Sequence, residues 1–213
     1  MLLVMKLPDG DRELVQIVDS ALADAARRAG PWLACRPGCT QCCHGAFAIN
    51  QLDALRLRTG MEALRTENPA IAEAVKKRAR AWLTEFGADF PGDPVTGVLG
   101  TSDEEQERFE DFANDAPCPA LNPMTGLCDV YEWRPMTCRV FGPPVRMNQG
   151  DDLGCCELCF VGATDDEIAA CEMRVPHELE AGLVAEVSGA AGREESSGDA
   201  SPRETIVAFA LLP

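Results

Sequence analysis

The chain is short of positive charge: its 213 residues carry 19 lysines and arginines against 35 aspartates and glutamates, a formal net charge of -16. With a pI near 4.5, such a surface repels phosphate, because proteins bind nucleic-acid backbones by displacing counterions with Lys and Arg. Nucleic acid and anionic membrane are therefore not expected as partners. Long apolar runs are missing too. A membrane span needs about 18 or more consecutive apolar residues, and the stretch Ile206 to Leu212 falls far short. Five apolar residues precede Lys6, fewer than the roughly 7 to 15 of an export signal, so no leader and a cytoplasmic location are expected. Only two histidines occur, which leaves little nitrogen for a mixed metal site. There is no Walker loop, no GxGxxG after a strand, no HExxH and no GxSxG, so the common phosphate-binding and hydrolase signatures are lacking.

Cysteine is what the chain has in abundance: eleven residues, in a background of 46% hydrophobic and 25% charged residues. That background suits a globular chain able to bury a core, and the length suits one domain with appendages. In a reducing compartment clustered cysteines are metal ligands or redox groups more often than disulfides. An odd total fits a disulfide framework poorly.

Periodicity predicts a mainly α fold, a small helical scaffold beside an irregular, cysteine-rich segment with at most short hairpins. Leu14, Ile17, Val18, Ala21, Leu22 and Ala25 mark an amphipathic helix over 11–28 that stops near Gly30-Pro31. A short helix is expected from Leu52 to Arg58 behind Asn50, with Gly60 stopping or bending it. Asn68-Pro69 is a cap followed by proline at the first helical position, opening a helix with Ile71, Val75, Ala79, Trp82, Leu83 and Phe86 on one face. Residues 87–100 read as a loop. Capping-box patterns at Ser102 to Glu105 and Thr164 to Glu167 predict helices over 103–114 and 165–173, and another is expected over 176–187. Thr125-Gly126 reads as a turn between Leu121 and Val130. The expected organisation is one metal-binding domain over 1–187, a flexible linker over 188–203 and a tail over 204–213 that docks as a helix.

The cysteines fall into groups. Cys35, Cys39, Cys42 and Cys43 crowd into nine residues; if 39–43 is one helical turn, Cys39, Cys42 and Cys43 share a face. Cys118, Cys128 and Cys138 form a second, evenly spaced group, and Cys155, Cys156 and Cys159 a third. These ten are the candidate metal ligands. Cys171 lies alone in an expected helix and reads as a buried apolar residue. Vicinal side chains diverge, so Cys42 and Cys43 are expected to serve different metals or different irons of one cluster. A structural zinc and a [4Fe-4S] cluster each take four thiolates, so ten cysteines imply more than one metal, or one cluster with spare thiols. Thiolate sites suit zinc and iron-sulfur clusters alike; the scarcity of histidine tips the expectation slightly toward iron-sulfur. Arg134 and Arg139 stand where a cation would lower a cysteine pKa. His44, next to the first group, is expected in an outer, supporting role.

The run Cys35-x3-Cys39-x2-Cys42-Cys43, followed by Cys118, Gly126-Leu-Cys128-x-x-Tyr131 and Arg134-Pro135-x-x-Cys138-Arg139, resembles the YkgJ-type cysteine-cluster proteins. These carry the CxxCxxCC domain, a zinc- or iron-chelating domain. The resemblance spans roughly residues 32–160 and implies a metal site built from the first two groups with one or more of Cys155, Cys156 and Cys159. It departs at the first spacing, where three residues stand between Cys35 and Cys39. The expected function is a metal-binding protein holding an iron-sulfur cluster or zinc, in a redox or group-transfer role. The alternatives are a zinc-stabilised binding module without catalysis, in which a protein partner would be met, and a thiol-rich metal carrier.

Overall fold

The computed structural model describes residues 6–146, 153–191 and 203–212. In chain order these form α1 (Asp11–Ala29), β1 (Ala48–Asn50), α2 (Gln51–Glu67), α3 (Pro69–Phe86), β2 (Gly92–Asp93), β3 (Val98–Leu99), α4 (Asp103–Glu110), α5 (Met136–Val140), β4 (Val145–Arg146), β5 (Leu153–Gly154), α6 (Asp165–Ala170), α7 (His177–Ala191), β6 (Glu204–Ile206) and α8 (Val207–Ala210). The described strands pair two by two, as β1 with β6, β2 with β3 and β4 with β5. The fold is mainly helical with short antiparallel pairs, as the periodicity predicts. Its residues cluster into two compact units, one within Met1–Pro8, Thr40–Pro135 and Val184–Pro213, the other within Asp9–Cys39 and Met136–Leu183.

The first unit is built on α2 and α3. The Asn50 side chain accepts a hydrogen bond from the Asp53 amide at 2.9 Å to start α2. That of Asn68 accepts from Ile71 at 3.3 Å to start α3, so each asparagine satisfies an amide the helix leaves unpaired. Apolar side chains including Leu57, Met61, Leu64, Val75 and Ala79 meet in one core with Val207 and Leu211 at the tail. The tail enters as a strand: β6 pairs antiparallel with β1 in the register Ala48↔Ile206, and α8 follows. A second core gathers Trp82, Phe90 and Phe112, with Phe112 edge-on to both others at 5.8 Å.

The expected stop at Gly60 is not observed, since α2 runs on to Glu67. A glycine interrupts a helix only weakly, and here its missing side chain makes room for the ring of Trp133. Both capping boxes form, but α4 and α6 end sooner than expected, at Glu110 and Ala170. Neither buries a residue, so no packing face extends them. The segment 87–100 is not structureless: a 3-10 turn over Gly87–Asp89 leads into the β2–β3 hairpin. Residues 188–191 of the expected linker belong to α7, and 192–202 lie outside the described residues.

In the second unit α1 places Asp11 and Glu13 at its start and Arg27 and Arg28 at its end, favourable for the helix dipole. It buries Leu14, Val18, Ala25 and Ala29 and stops at Gly30, where φ is +51°. α5 packs on α1, and Arg139 on α5 is buried against Asp19 of α1 at 2.8 Å. Among the described residues no helix is long and apolar enough to cross a membrane.

A Cβ at position 60 would collide with the near end of the Trp133 side chain, which cannot swing away as a flexible tip could. Gly60→Ala gains about 1 kcal/mol of helix propensity but overpacks at a cost of about 1–3 kcal/mol. A lower midpoint of urea unfolding is the expected result.

Candidate metal centre

Four thiols lie near one another in the first unit: Cys42, Cys43, Cys118 and Cys128. Gln41–Cys43 is a single 3-10 turn, closed by the Cys43 amide donating to Thr40 at 2.8 Å. The expected helical turn over 39–43 is thus shorter, and Cys39 lies before it. The Cys118 amide donates to the Cys43 carbonyl at 2.7 Å, and His44 forms a β-bridge with Pro117, so the second cysteine segment is hydrogen-bonded alongside the first. Cys128 follows through the turn predicted at Thr125-Gly126. The Asn122 amide donates to Leu127 at 2.8 Å, Leu121 bridges Cys128, and Gly126 takes the positive φ of 68° that such a turn requires.

Cys42 and Cys43 do not point apart. Their thiols interact with each other. That interaction, the Cys42 amide and the charge of Arg134 hold the Cys42 thiol down at about 6 against the opposing effect of burial. Cys43 is pushed up, first by its hydrogen bond with Cys42, then by burial and by the neighbouring Cys42, Cys118 and Cys128. Burial pushes Cys118 up to about 12, opposed by the amides of Ala120 and Leu121 and by Arg78. Cys128 is raised by burial and eased by the Val130 amide and Arg134.

Two arginines supply the positive charge. Arg134 is buried, lies flat over the Tyr131 ring at 3.8 Å and donates to the Tyr131 carbonyl at 2.9 Å. Arg78 on α3 donates to the Pro119 carbonyl at 2.8 Å and pairs with Asp129 at 2.6 Å, which pins the residue after Cys118 to the residue after Cys128. The role expected of Arg134 is met, whereas Arg139 reaches Asp19 in the other unit. Arg78 was not foreseen, because on an amphipathic helix it reads as a solvated residue.

The second unit holds Cys35, Cys39, Cys155, Cys156 and Cys159. The Cys35 and Cys159 sulfurs are 4.0 Å apart. Cys156 and Cys159 share a tight turn, the Cys159 amide donating to the Cys156 carbonyl at 2.8 Å, and the Cys156 amide donates to Gly142 at 3.2 Å. Gly142 has φ +123°, and a Cβ there would stand 2.8 Å from the Cys35 sulfur. Desolvation, then Cys159, Cys156 and Cys39, push the Cys35 thiol up to about 12. Cys156 is raised by burial and eased by the Leu158 amide; Cys155 is raised by burial and by Cys159.

Cys138 is half-buried on α5. Cys171 is buried in an apolar cluster with Ala29 and Phe160, as a packing residue would be. His44 lies near the Asp115 carbonyl at 3.5 Å. Among the described residues no group of three or more Cys, His, Asp or Glu side chains is placed so that it could hold a metal ion. The donor set fits a thiophilic metal in kind, four or more soft sulfurs with cations and amides beside them, and binding would have to draw the sulfurs inward.

A family model described as "CxxCxxCC: Putative zinc- or iron-chelating domain" matches residues 34–159, a span that contains every cysteine except Cys171. No curated protein and no solved structure matches the chain significantly.

Gly142→Ala forces a side chain into a backbone conformation open almost only to glycine, at a cost of about 1–3 kcal/mol, and against the Cys35 sulfur. A lower thermal midpoint and faster hydrogen exchange at the Cys156 amide, which bonds to Gly142, are expected.

Proposed function

Because the chain belongs to the CxxCxxCC family of zinc- or iron-chelating domains, we propose that it is a metal-binding module in which Cys42, Cys43, Cys118 and Cys128 hold one zinc ion that fixes the cysteine-rich segment. The observation that carries this reading is the proximity of four thiols from three separate stretches of chain, with Arg134 near Cys42 and Cys128. Zinc takes four thiolates in a tetrahedron, and a four-thiolate zinc site carries two net negative charges, which the guanidiniums of Arg134 and Arg78 offset.

The hydrogen bond between Cys42 and Cys43 favours a single ion. Each thiolate of a cubane cluster binds its own iron, so two adjacent residues would have to reach different corners instead of turning toward one another. The scarcity of histidine suits an all-thiolate zinc site as well as it suits iron and sulfide. Zinc is redox-inert, and its contribution here is to folding. The stretch from 111 to 135 has no α-helix and no strand; turns, the Arg78 contacts and buried side chains such as Phe112 and Val130 order it, and coordination would add to them. Structural zinc contributes roughly 10–16 kcal/mol, as much as the whole stability of a typical domain.

Anaerobic purification followed by elemental analysis and an optical spectrum tests the reading. A colourless protein carrying zinc is expected; a brown one carrying iron and sulfide would replace zinc by a cluster. Cys42→Ser and Cys128→Ser should lose this ion and open residues 111–135 to limited proteolysis. A metal-free native protein with the same protease resistance would end the proposal. Arg134→Met keeps bulk beside the thiols and removes the charge, so competition with a chromophoric chelator should show affinity lower by about 10- to 100-fold, the range for loss of a supporting group.

A further inference from the structure

We propose that the second unit carries a reversible redox pair, in which Cys35 and Cys159 close into a disulfide by exchange with a low-molecular-weight disulfide and so tie the chain leaving α1 to the turn over 156–159. The pair uses no residue of the zinc reading above and does not depend on it.

The Cys35 and Cys159 sulfurs are 4.0 Å apart although 124 positions separate them in sequence. A disulfide needs about 2.05 Å between sulfurs, so closure asks for an approach of about 2 Å, which rotation about side-chain bonds supplies without refolding. The backbone on both sides is already held. The Phe160 amide, next to Cys159, donates to the Trp32 carbonyl at 2.8 Å, and the Cys156 amide donates to the Gly142 carbonyl at 3.2 Å. Gly142, with φ +123°, leaves open the space that the Cys35 sulfur occupies, since a Cβ there would stand 2.8 Å from it.

Exposure sets the order of events. Cys35 is exposed, whereas Cys159 is buried in an apolar cluster with Ala29 and Phe160, so a dissolved disulfide meets Cys35 first. The Cys35 thiolate attacks one sulfur of that disulfide, forming a mixed disulfide and expelling one small thiolate. The Cys159 thiolate then attacks the Cys35 sulfur; the bond between Cys35 and Cys159 forms, the mixed disulfide breaks and the second small thiolate leaves. Two protein thiols have lost two electrons and two protons, and the small disulfide has taken up both to become two thiols. Excess small thiol reverses both steps. Because Cys159 is held beside Cys35, the second step is intramolecular and outruns attack by dissolved thiol. Cys156 also neighbours Cys159, but both are buried, so neither offers the oxidant a first point of attack. Uncatalysed rearrangement takes minutes to hours, which suits a pair that follows the standing balance of disulfide and thiol, not a burst of oxidant. Closing so long a loop constrains the unfolded chain, and the oxidised form is the more stable one.

The test incubates the full chain in buffers of oxidised and reduced glutathione at graded ratios, quenches with acid, alkylates the remaining thiols with N-ethylmaleimide and maps the peptides by mass spectrometry. A peptide pair joined through Cys35 and Cys159 is expected to accumulate with the oxidised share and to vanish with dithiothreitol, and the oxidised chain should melt about 5–15 °C higher. Cys159→Ser should stop at Cys35 carrying glutathione. Cys35→Ser should leave Cys159 alkylated, with about tenfold less of it oxidised than in the unaltered chain once the intramolecular step is gone; should the buried Cys159 variant fail to fold, this exposed variant carries the same information. Cys155→Ser, which removes another exposed thiol, should leave the link in place. A chain whose Cys35 and Cys159 stay unjoined in the most oxidising buffer, or in which Cys159 pairs with Cys156 instead, overturns the proposal. Zinc content plays no part in this readout, so failure of the first-unit reading leaves it untouched.

Discussion

Sulfur gathered away from water resists ionisation, and everything distinctive in this chain depends on how that resistance is met. Burial disfavours the thiolate and each neighbouring thiolate disfavours it again, which is why Cys43, Cys118, Cys128 and Cys35 all hold their protons more tightly than a free cysteine. Positive charge has to be brought in. In the first unit the hydrogen bond with Cys43 and the Arg134 guanidinium already provide some, and Cys42 alone shifts toward the thiolate as a result. In the second unit burial first, and the neighbouring thiols after it, raise Cys35, Cys155 and Cys156.

The same backbone device recurs beneath three of these sulfurs. The amide two residues further on donates to the thiol, Ala120 to Cys118, Val130 to Cys128 and Leu158 to Cys156. A tight turn leaves that amide without a carbonyl partner, and a sulfur that accepts it gains partial positive charge at no cost in side chains. The helices serve these turns at one remove. α3 supplies Arg78, which ties Pro119 to Asp129 and so fixes the spacing of Cys118 and Cys128. In the other unit, α1 ends at Gly30, and the carbonyl of Trp32 just beyond receives the Phe160 amide at 2.8 Å, next to Cys159.

What could be read from the residues was what depends on near neighbours. The stripe of α1, the Asn68-Pro69 start of α3, both capping boxes and the turn at Thr125-Gly126 are decided within a few residues, and each is found where its local chemistry places it. Contacts between distant residues were not legible. Gly60 reads as a helix stop because Trp133 is far away in the chain. β1 and β6 are three residues each, too short to show alternation. For the cysteines, composition and clustering pointed to a thiophilic metal, but spacing could not tell that Cys39 would side with Cys35 while Cys42 turned to Cys43. That division is made by Gly142, the Cys156 turn and the strand-like pairing at Pro117, all remote in sequence.

The pairing of Ala48 with Ile206 sets an order of events at the ribosome. Synthesis proceeds from the N-terminus at about 5–20 residues per second, so α2 and α3 emerge well before the strand and helix that complete their core, with Val207 and Leu211. For that interval the apolar faces of α2 and α3 that meet Val207 and Leu211 stand without this partner. The segment 204–211 thus closes the core of the first unit only after Cys42, Cys43, Cys118 and Cys128 have all been made.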